Sequence, residues 1–454
     1  MTDDRLPLRP RLGEHVAARH HVTADREIVV LTDARDDSRY EIEIHEWDAL
    51  SCADGTRDFD GIALAAAARG SLRRISSLRA MLEGLADLGL LVPGLASPDP
   101  MLVEPPPTPG DRPLDLLPSF SLACDGGGTC CRMYGSVGFS TDEAERARAA
   151  ARPDVPATWL FTPVRGSRPS QLHAVSLVSG ACAFLDSASR CRLHAAAGPS
   201  AKPLVCRQYP TTFTDDGTSI RVSIGVECAC IATSVGRPDG APLLDPSWVV
   251  ARDLPPGTRV LRLSPEIVVR AGVTAPREDL ARWSRTLLGG AVDGSDAWLA
   301  FARITHSVER DGLAAIRDAT DLPADLRDRC IEQAAAIARG ARRSLDNATD
   351  RVHASSLAGL AWIAASTPSR EDVALDRSPD RVESFYLRAT LHGHFAVRPD
   401  VASAMRLRAA RIVLARAMAR TIGPAKRASQ WFAHPIVAIE ALSRALGISA
   451  IPAE

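Results

Sequence analysis

Eight of the chain's ten cysteines lie between residues 124 and 230: Cys124, Cys130, Cys131, Cys182, Cys191, Cys206, Cys228 and Cys230. Thiolates bind zinc and iron, and two thiols can also oxidise to a disulfide. The rest of the chain carries only Cys52 and Cys330, which fall in helical patterns and are expected to be packed thiols. The concentration of the other eight therefore predicts a metal site, with a set of disulfides as the alternative.

Composition and the N-terminus bear on that choice. The chain has 454 residues, with 54 basic and 55 acidic side chains, so no overall charge draws it to nucleic acid or to a membrane surface. The N-terminal residues MTDDRLPLRPRLGEH lack the apolar stretch of a signal peptide, and no apolar run approaches the roughly 20 residues of a membrane span. We therefore expect a cytoplasmic protein, where disulfides are rare and metal ligation is favoured.

The spacing of the thiols leaves the metal open. Eight thiols suffice for two four-cysteine sites, or for one cluster with spare thiols. Cys130 and Cys131 are adjacent, and successive side chains tend to point apart, so we expect them to serve two sites or to include one supporting thiol. Structural zinc sites usually draw on Cys-x2–4-Cys pairs, which this chain lacks, so the spacing favours an iron–sulfur cluster over zinc.

The sequence gives weaker indications of a role in metal or cofactor binding for other side chains near the thiols. Arg207 and Tyr209 flank Cys206, and either could donate to a cluster or to a bound cofactor, so both are candidate cofactor-binding residues. His194 could bind metal or begin a helix, and Asp186 is expected to cap a turn. The seven basic residues between 406 and 427 have no acidic neighbour, and we expect the solvated face of an amphipathic helix there.

The elements that must position these residues divide the chain into three domains. Residues 1–92 contain two β-branched segments, Glu27–Thr32 and Arg39–Ile44, followed by helical patterns at 46–53, 59–69 and 72–88. A hairpin with three short helices is a winged-helix-like arrangement. Nine prolines between residues 93 and 118 predict an extended linker.

The cysteines occupy the second domain, residues 119–263. Ser140-Thr-Asp-Glu143 matches a capping box that should open a helix through Arg148. Ile220, Val222, Ile224 and Val226 alternate with polar residues or glycine, which predicts a half-buried strand leading to Cys228. Residues 264–454 are rich in alanine, leucine and arginine and predict an all-helical domain. The expected fold class is therefore α+β and multidomain.

Three stretches give a family resemblance. Cys124 with Cys130-Cys131, CAFLDSASRCRLH and KPLVCRQYP resemble the YkgJ-like cysteine-cluster family of zinc- or iron-chelating proteins. Within that group the architecture is most similar to the FliB-like flagellin lysine N-methylases, through VESFYLRATL and QWFAH in the helical region. One departure is Gly127, which stands where such proteins often have a further cysteine. RPRLGEHV, DGTRDFDGIA and LADLGLLV resemble the PqqD-like domains that hold leader peptides.

Two functions follow from these observations. The resemblance implies an iron–sulfur cluster, S-adenosylmethionine as cofactor, and a peptide or protein substrate whose lysine side chain is methylated. The chain shows no obvious acid–base pair or nucleophile, which favours instead a non-catalytic protein whose metal, zinc or iron, holds the fold together while the other domains bind a partner. No nucleic acid and no membrane partner is expected under either hypothesis.

Overall fold

The structure is a computed structural model, and it describes residues 6–13, 15–22, 27–33, 38–68, 74–94, 109–124, 126–133, 137–163, 173–291, 296–313, 322–346, 354–374, 378–393, 400–427 and 434–446. Helices and strands both contribute, which confirms the predicted α+β class. Most of the proline-rich segment, residues 95–108, lies outside the described residues. No helix in the described part of the chain is long and apolar enough to cross a bilayer.

The N-terminal unit has its own core. Its elements are β1 (Pro10–Leu12), β2 (Val16–Val22), β3 (Glu27–Asp33), β4 (Arg39–Glu43), α1 (Ile44–Leu50), α2 (Phe59–Ala68), α3 (Ile75–Asp87) and β5 (Leu91–Pro93). The two predicted strands correspond to β3 and β4 and pair antiparallel, while β2, which the sequence pattern did not reveal, pairs with β3 on the other side. Trp47, Leu50 and Leu82 are buried between this sheet and the helices.

Helix α3 corresponds to the helical pattern predicted at 72–88 and buries one apolar face. Leu78, Leu82 and Leu85 are buried, as their helical spacing requires, but Ile75 and Leu88 at the two ends are 65% and 47% exposed. Gly89 follows the helix with φ of 70°, the left-handed conformation that ends many helices. The predicted first residue, Leu72, lies outside the described residues.

The cysteine-bearing region consists of short elements. They are β6 (Leu114–Leu116), α4 (Thr129–Met133), β7 (Gly138–Phe139), α5 (Thr141–Arg148), β8 (Phe161–Pro163), β9 (His173–Val175), β10 (Leu177–Val178), β11 (Ala181–Cys182), α6 (Arg192–Ala197), α7 (Leu204–Gln208), β12 (Thr211–Asp215), β13 (Ile220–Ile224), α8 (Ile231–Ser234) and β14 (Val260–Arg262). Sheets form in the orders β7-β9-β8 and β14-β12-β13-β6. A small core of Phe139, Phe161 and Phe184 supports the first of these sheets.

One sheet joins the N-terminal unit to the cysteine region. Its order is β11-β10-β2-β3-β4, and β10 pairs parallel with β2, with Leu177 beside His21. The buried ring of His20 links both sides through Nδ1 to the Ser176 hydroxyl at 2.8 Å and through Nε2 to Glu27 at 2.7 Å. The strand that carries Cys182 is thus part of the same sheet as the N-terminal strands.

Strand β13 is buried on both faces, whereas its alternation predicted a half-buried strand. Ile220 and Val222 face a small apolar cluster, and the opposite face packs against helix α13 (Arg381–Gly393). On that face the Ser223 hydroxyl donates to the carbonyl of Ala389 at 3.2 Å, and the Thr214 hydroxyl of β12 donates to that of Gly393 at 2.8 Å. The buried hydroxyls on this face are thus hydrogen-bonded to carbonyls near the end of the helix, and the Gly393 carbonyl has no partner within the helix.

The C-terminal region begins with a hairpin, which corrects the prediction that it is all helical. The hairpin is β15 (Glu266–Arg270) and β16 (Val273–Pro276), and the helices that follow, with α13 among them, are α9 (Arg277–Thr286), α10 (Ala297–Asp311), α11 (Ala324–Asp346), α12 (Ala354–Ala365), α14 (Val401–Arg427) and α15 (Pro435–Leu446). Their core also contains Leu117, Ile224, Cys228 and Cys230. The boundary placed at residues 263 and 264 therefore cuts through a shared core, and the three-domain division stays a prediction.

The arginines of α14 that the structure describes are mostly buried or ion-paired and do not form a solvated face, which corrects the expectation from the local sequence. Arg416 is 4% exposed and pairs with Asp296 and with Glu383, the latter at 2.7 Å. Ion pairs from the same helix also reach acidic residues on other elements: Arg406 with Glu309, Arg411 with Glu440, and Arg420 with Asp372. The acids that compensate this helix are distant in sequence, so a local reading does not find them.

Candidate metal centre

The structure brings four thiols within electrostatic reach of one another: Cys130, Cys131, Cys182 and Cys206, which we call the thiol quartet. The pKa of the Cys131 thiol responds to the other three, that of Cys206 to Cys182 and Cys130, and that of Cys182 to Cys130. Helix α4, which holds the adjacent pair, packs against β11, which ends in Cys182, and α7 supplies Cys206. Three sequence-distant elements therefore meet at one place.

The adjacent thiols do not have to serve separate sites. The sulfur atoms of Cys130 and Cys131 are 4.0 Å apart, because both residues lie in one short helical turn. Two thiolates bound tetrahedrally to one ion at a metal–sulfur distance of about 2.3 Å would be roughly 3.8 Å apart. The observed distance is therefore compatible with both sulfurs binding a single zinc ion or a single iron of a cluster, contrary to our expectation from their adjacency.

Three thiols of the quartet, Cys131, Cys182 and Cys206, have raised pKa values and are protonated at neutral pH when no metal is bound. Burial raises the pKa of Cys182 to about 12 and raises that of Cys206 well above its usual value. The pKa of Cys131 is raised first by its hydrogen bond with Cys130 and then by burial, while the same hydrogen bond lowers the pKa of Cys130. Thiolates at these positions consequently need a compensating positive charge.

Neighbouring groups supply part of that compensation. Lys202 lowers the pKa of both Cys130 and Cys206, and the backbone N–H of Phe184 donates to the sulfur of Cys182. Arg152 donates through Nη1 to the Leu185 carbonyl, and its own pKa is raised chiefly by Asp154 and also by Cys182. Cations and N–H donors around thiolates are typical of metal–sulfur sites. Lys202 stands in the KPLVC motif of the sequence, whereas no sequence signal identified Arg152.

The loop that precedes the adjacent thiols is fixed by glycine and arginine. Gly126 and Gly128 both have φ of 69°, and a Cβ on Gly128 would lie only 2.9 Å from the Ser189 carbonyl oxygen. Arg132 donates to the Gly127 carbonyl at 3.1 Å and to the Ser189 hydroxyl at 2.6 Å. These contacts hold the loop against the turn that follows Cys182.

That turn is itself ordered by Asp186, which accepts a hydrogen bond from the Arg190 backbone N–H at 2.8 Å, and this confirms its predicted capping role. His194, the other neighbouring candidate, is exposed on helix α6.

The other four predicted ligands lie at different distances from the quartet. Cys191 precedes α6 and raises the pKa of Cys182 and Cys206, and exposed Cys124 raises that of Cys130, so six thiols share one neighbourhood. Cys228 and Cys230 are each 6% exposed in the core shared with the C-terminal helices. Metal binding by these two stays a prediction. Cys52 and Cys330 are fully buried, as expected of packed thiols.

The chemical type of the four donors suits a thiophilic metal, but the distances between their sulfur atoms are too long for them to bind one ion together. In the described part of the chain, no group of three or more His, Cys, Asp or Glu side chains stands close enough to hold an ion without movement. Apart from the hydrogen bond between Cys130 and Cys131, no contact between the thiols would draw their sulfur atoms together, whereas a bound cation would. Coordination by the quartet therefore requires the sulfurs to lose their protons and close in on the metal.

The two candidate cofactor-binding residues, Arg207 and Tyr209, lie in different surroundings. Arg207 lines a cavity of about 270 Å³ next to the turn of helix that carries Cys206. Tyr209 instead packs against the core shared with the C-terminal helices and does not line this cavity. Of the two, only Arg207 therefore stands where it could contact a ligand in that cavity.

Comparison with known proteins leaves the assignment to the site itself: no protein-family model, no curated protein and no solved structure matches this chain. The resemblance to cysteine-cluster proteins thus stays a prediction. What the fold and the site define is a mixed α+β protein with six neighbouring thiols, four of them mutually close.

Proposed function

We propose that the protein is a metal–thiolate protein, with the metal held by Cys130, Cys131, Cys182 and Cys206. The observation that supports this is the quartet itself: three separate elements bring the four thiols together beside Lys202, and burial raises the pKa of Cys182 and Cys206. Cys191 and Cys124 lie in the same neighbourhood and are further candidate ligands. An iron–sulfur cluster is the first proposal and zinc the alternative; the former supplies one-electron transfer and the latter structural support or Lewis acidity.

We further propose that the centre serves the modification of a peptide or protein side chain in the cytoplasm, with S-adenosylmethionine-dependent lysine N-methylation as the specific reaction. In this proposal residues 1–92 are a winged-helix-like, PqqD-like domain that holds the substrate peptide, residues 119–263 hold the metal, and residues 264–454 form a mainly helical domain. The support is the sequence resemblance, together with the sheet that runs from β4 to Cys182.

A second candidate is a non-catalytic protein in which the metal fastens the fold. The observation that favours it is that Cys182 and Cys191 pack against the apolar core of Phe139, Phe161 and Phe184. Removal of a ligand from such a position would expose that core. The flanking domains would then bind a partner without chemistry at the metal.

Metal and sulfide analysis of anaerobically purified protein tests the proposal directly. Iron with stoichiometric sulfide supports the cluster, and stoichiometric zinc without sulfide supports the alternative. Cys182→Ser should lose the metal, while Cys330→Ala, which removes a buried thiol outside the quartet, should keep it. Wild-type protein that binds neither metal would contradict the proposal.

Folding of the ligand variant separates the two functions. If Cys182→Ser keeps a cooperative unfolding transition but loses S-adenosylmethionine-dependent methylation of a substrate peptide, the enzyme is supported. If it loses the transition itself, the structural metal is supported. Control protein Cys330→Ala should retain both properties.

A further inference from the structure

A cavity of about 270 Å³ lies beside the metal centre, between three segments of the cysteine region. Helix α5 contributes its first turn, α7 contributes residues on either side of Cys206, and the loop at 255–257 closes the third side. Cys206 itself belongs to the thiol quartet, so the short helix α7 separates the cavity from the metal site.

The cavity presents one cation and one anion that are not paired with each other. In the part of the chain that the structure describes, the exposed guanidinium of Arg207 makes no hydrogen bond or ion pair. Glu143 is held in place, since its Oε1 accepts the Leu204 N–H at 2.9 Å and its Oε2 accepts the Ser140 N–H at 3.0 Å. Each carboxylate oxygen still has a lone pair for a ligand.

The remaining wall is apolar. Leu204, Val205, Pro255 and Pro256 line it, which suits a hydrocarbon or thioether chain rather than a phosphate or a sugar. A fixed carboxylate, a free guanidinium and an apolar wall are together complementary to an ammonium, a carboxylate and an apolar chain carried by one small molecule.

We propose that this cavity binds the head group of an α-amino acid, with its carboxylate on Arg207, its ammonium on Glu143, and its side chain against the apolar wall. The inference deepens the proposed function and rests on it for the identity of the natural ligand, because the methionine part of S-adenosylmethionine carries such a head group. The binding itself does not depend on whether the metal is iron or zinc.

Equilibrium binding to the purified full-length protein tests this inference. L-Methionine should bind saturably, and its carboxamide, which lacks the negative charge, should bind at least tenfold more weakly. Arg207→Gln should weaken methionine binding to about the level of the carboxamide. Arg146→Gln, which changes an exposed arginine of α5 that does not line the cavity, should bind methionine as the wild type does.

The outcomes separate this inference from the proposed function. Absence of methionine binding, equal binding of acid and amide by the wild type, or an unchanged affinity in Arg207→Gln would overturn the cavity assignment. If S-adenosylmethionine still bound normally to Arg207→Gln, the cavity assignment would fail, while the proposal that the protein binds S-adenosylmethionine would survive. If the wild-type protein contained no metal, so that Cys182→Ser had none to lose, yet methionine bound through Arg207, the cavity assignment would be supported and the proposed metal centre would be contradicted.

Discussion

Metal binding by this protein should strengthen steeply as pH rises. Burial raises the pKa of Cys182 to about 12 and raises that of Cys206, and the pKa of Cys131 is raised by its hydrogen bond with Cys130 and by burial. All three are therefore thiols at neutral pH and must each release a proton when they bind a metal. Because each released proton changes the apparent affinity tenfold per pH unit, three protons correspond to about a thousandfold, or about 4 kcal/mol, per unit.

Cobalt(II) is a suitable probe, since its bonds to thiolates absorb visible light. Titrations of metal-free, reduced protein against a competing chelator between about pH 6 and 8 should give a plot of log affinity against pH with a slope near three, after correction for the chelator. The Cys52→Ala protein should give the same slope, because Cys52 lies in the N-terminal core. A slope of one or less would refute the reasoning, since it would mean that the thiols are already ionised or do not bind.

The raised pKa of Cys182 also makes the stability of the metal-free protein depend on pH. An unfolded cysteine titrates near pH 8.5, whereas folded Cys182 titrates near 12, so in this window the folded state binds more protons than the unfolded state. The free energy of unfolding should consequently fall as pH rises through the window, by up to about 1.4 kcal/mol per unit for this thiol. Bound metal should remove the dependence, because it displaces the proton.

Three substitutions test other parts of the structure. Gly128→Ala should cost more stability and more metal affinity than Gly126→Ala: both place alanine at φ of 69°, at about 1–2 kcal/mol, but only the former meets the Ser189 carbonyl. In urea denaturation, Arg416→Met should cost about 3–5 kcal/mol by leaving two buried carboxylates unpaired, whereas Arg370→Met, at a side chain 83% exposed, should cost less than about 1 kcal/mol. His20→Ala should cost about 1–3 kcal/mol by leaving the buried Ser176 hydroxyl without its partner, and hydrogen exchange should show faster exchange of the Ser179 amide, which bonds to the Val22 carbonyl; an unchanged rate would contradict the role of His20 in holding β10 to β2.

Local signals in the sequence predicted local structure well. The capping box at Ser140 forms as expected: its hydroxyl accepts the Glu143 N–H at 3.2 Å, and the helix runs to Arg148. Strands β3 and β4 were also predicted, because their β-branched residues lie within the segments that form the strands. Strand β10, in contrast, is two residues long, too short to show an alternation, and its parallel partner is more than 150 residues away. No periodicity within a segment can reveal such a pairing.

Burial was predicted less well than secondary structure, because it depends on what covers a face. Arg221 and Ser223 alternate with apolar residues on β13 and so predicted a solvent-facing side, but helix α13 and neighbouring acids cover them. The arginines of α14 were misjudged for the same reason. A charged residue is buried only with a partner, and partners that lie on other elements are invisible to a pattern within one helix.

For the cysteines, the sequence predicted the region of the site but not which thiols lie together. Clustering along the chain predicted one metal region, and six of the eight proposed ligands do share a neighbourhood, although their binding of metal stays a prediction. Clustering could not distinguish them from Cys228 and Cys230, which enter the core shared with the C-terminal helices. The difference arises from topology: α4 packs against β11, whose Cys182 lies against the small aromatic core, whereas the last two cysteines follow β13 into the other core. Because β11 also continues the sheet of the N-terminal unit through β10, a metal bound by Cys182 would hold one edge strand of that sheet.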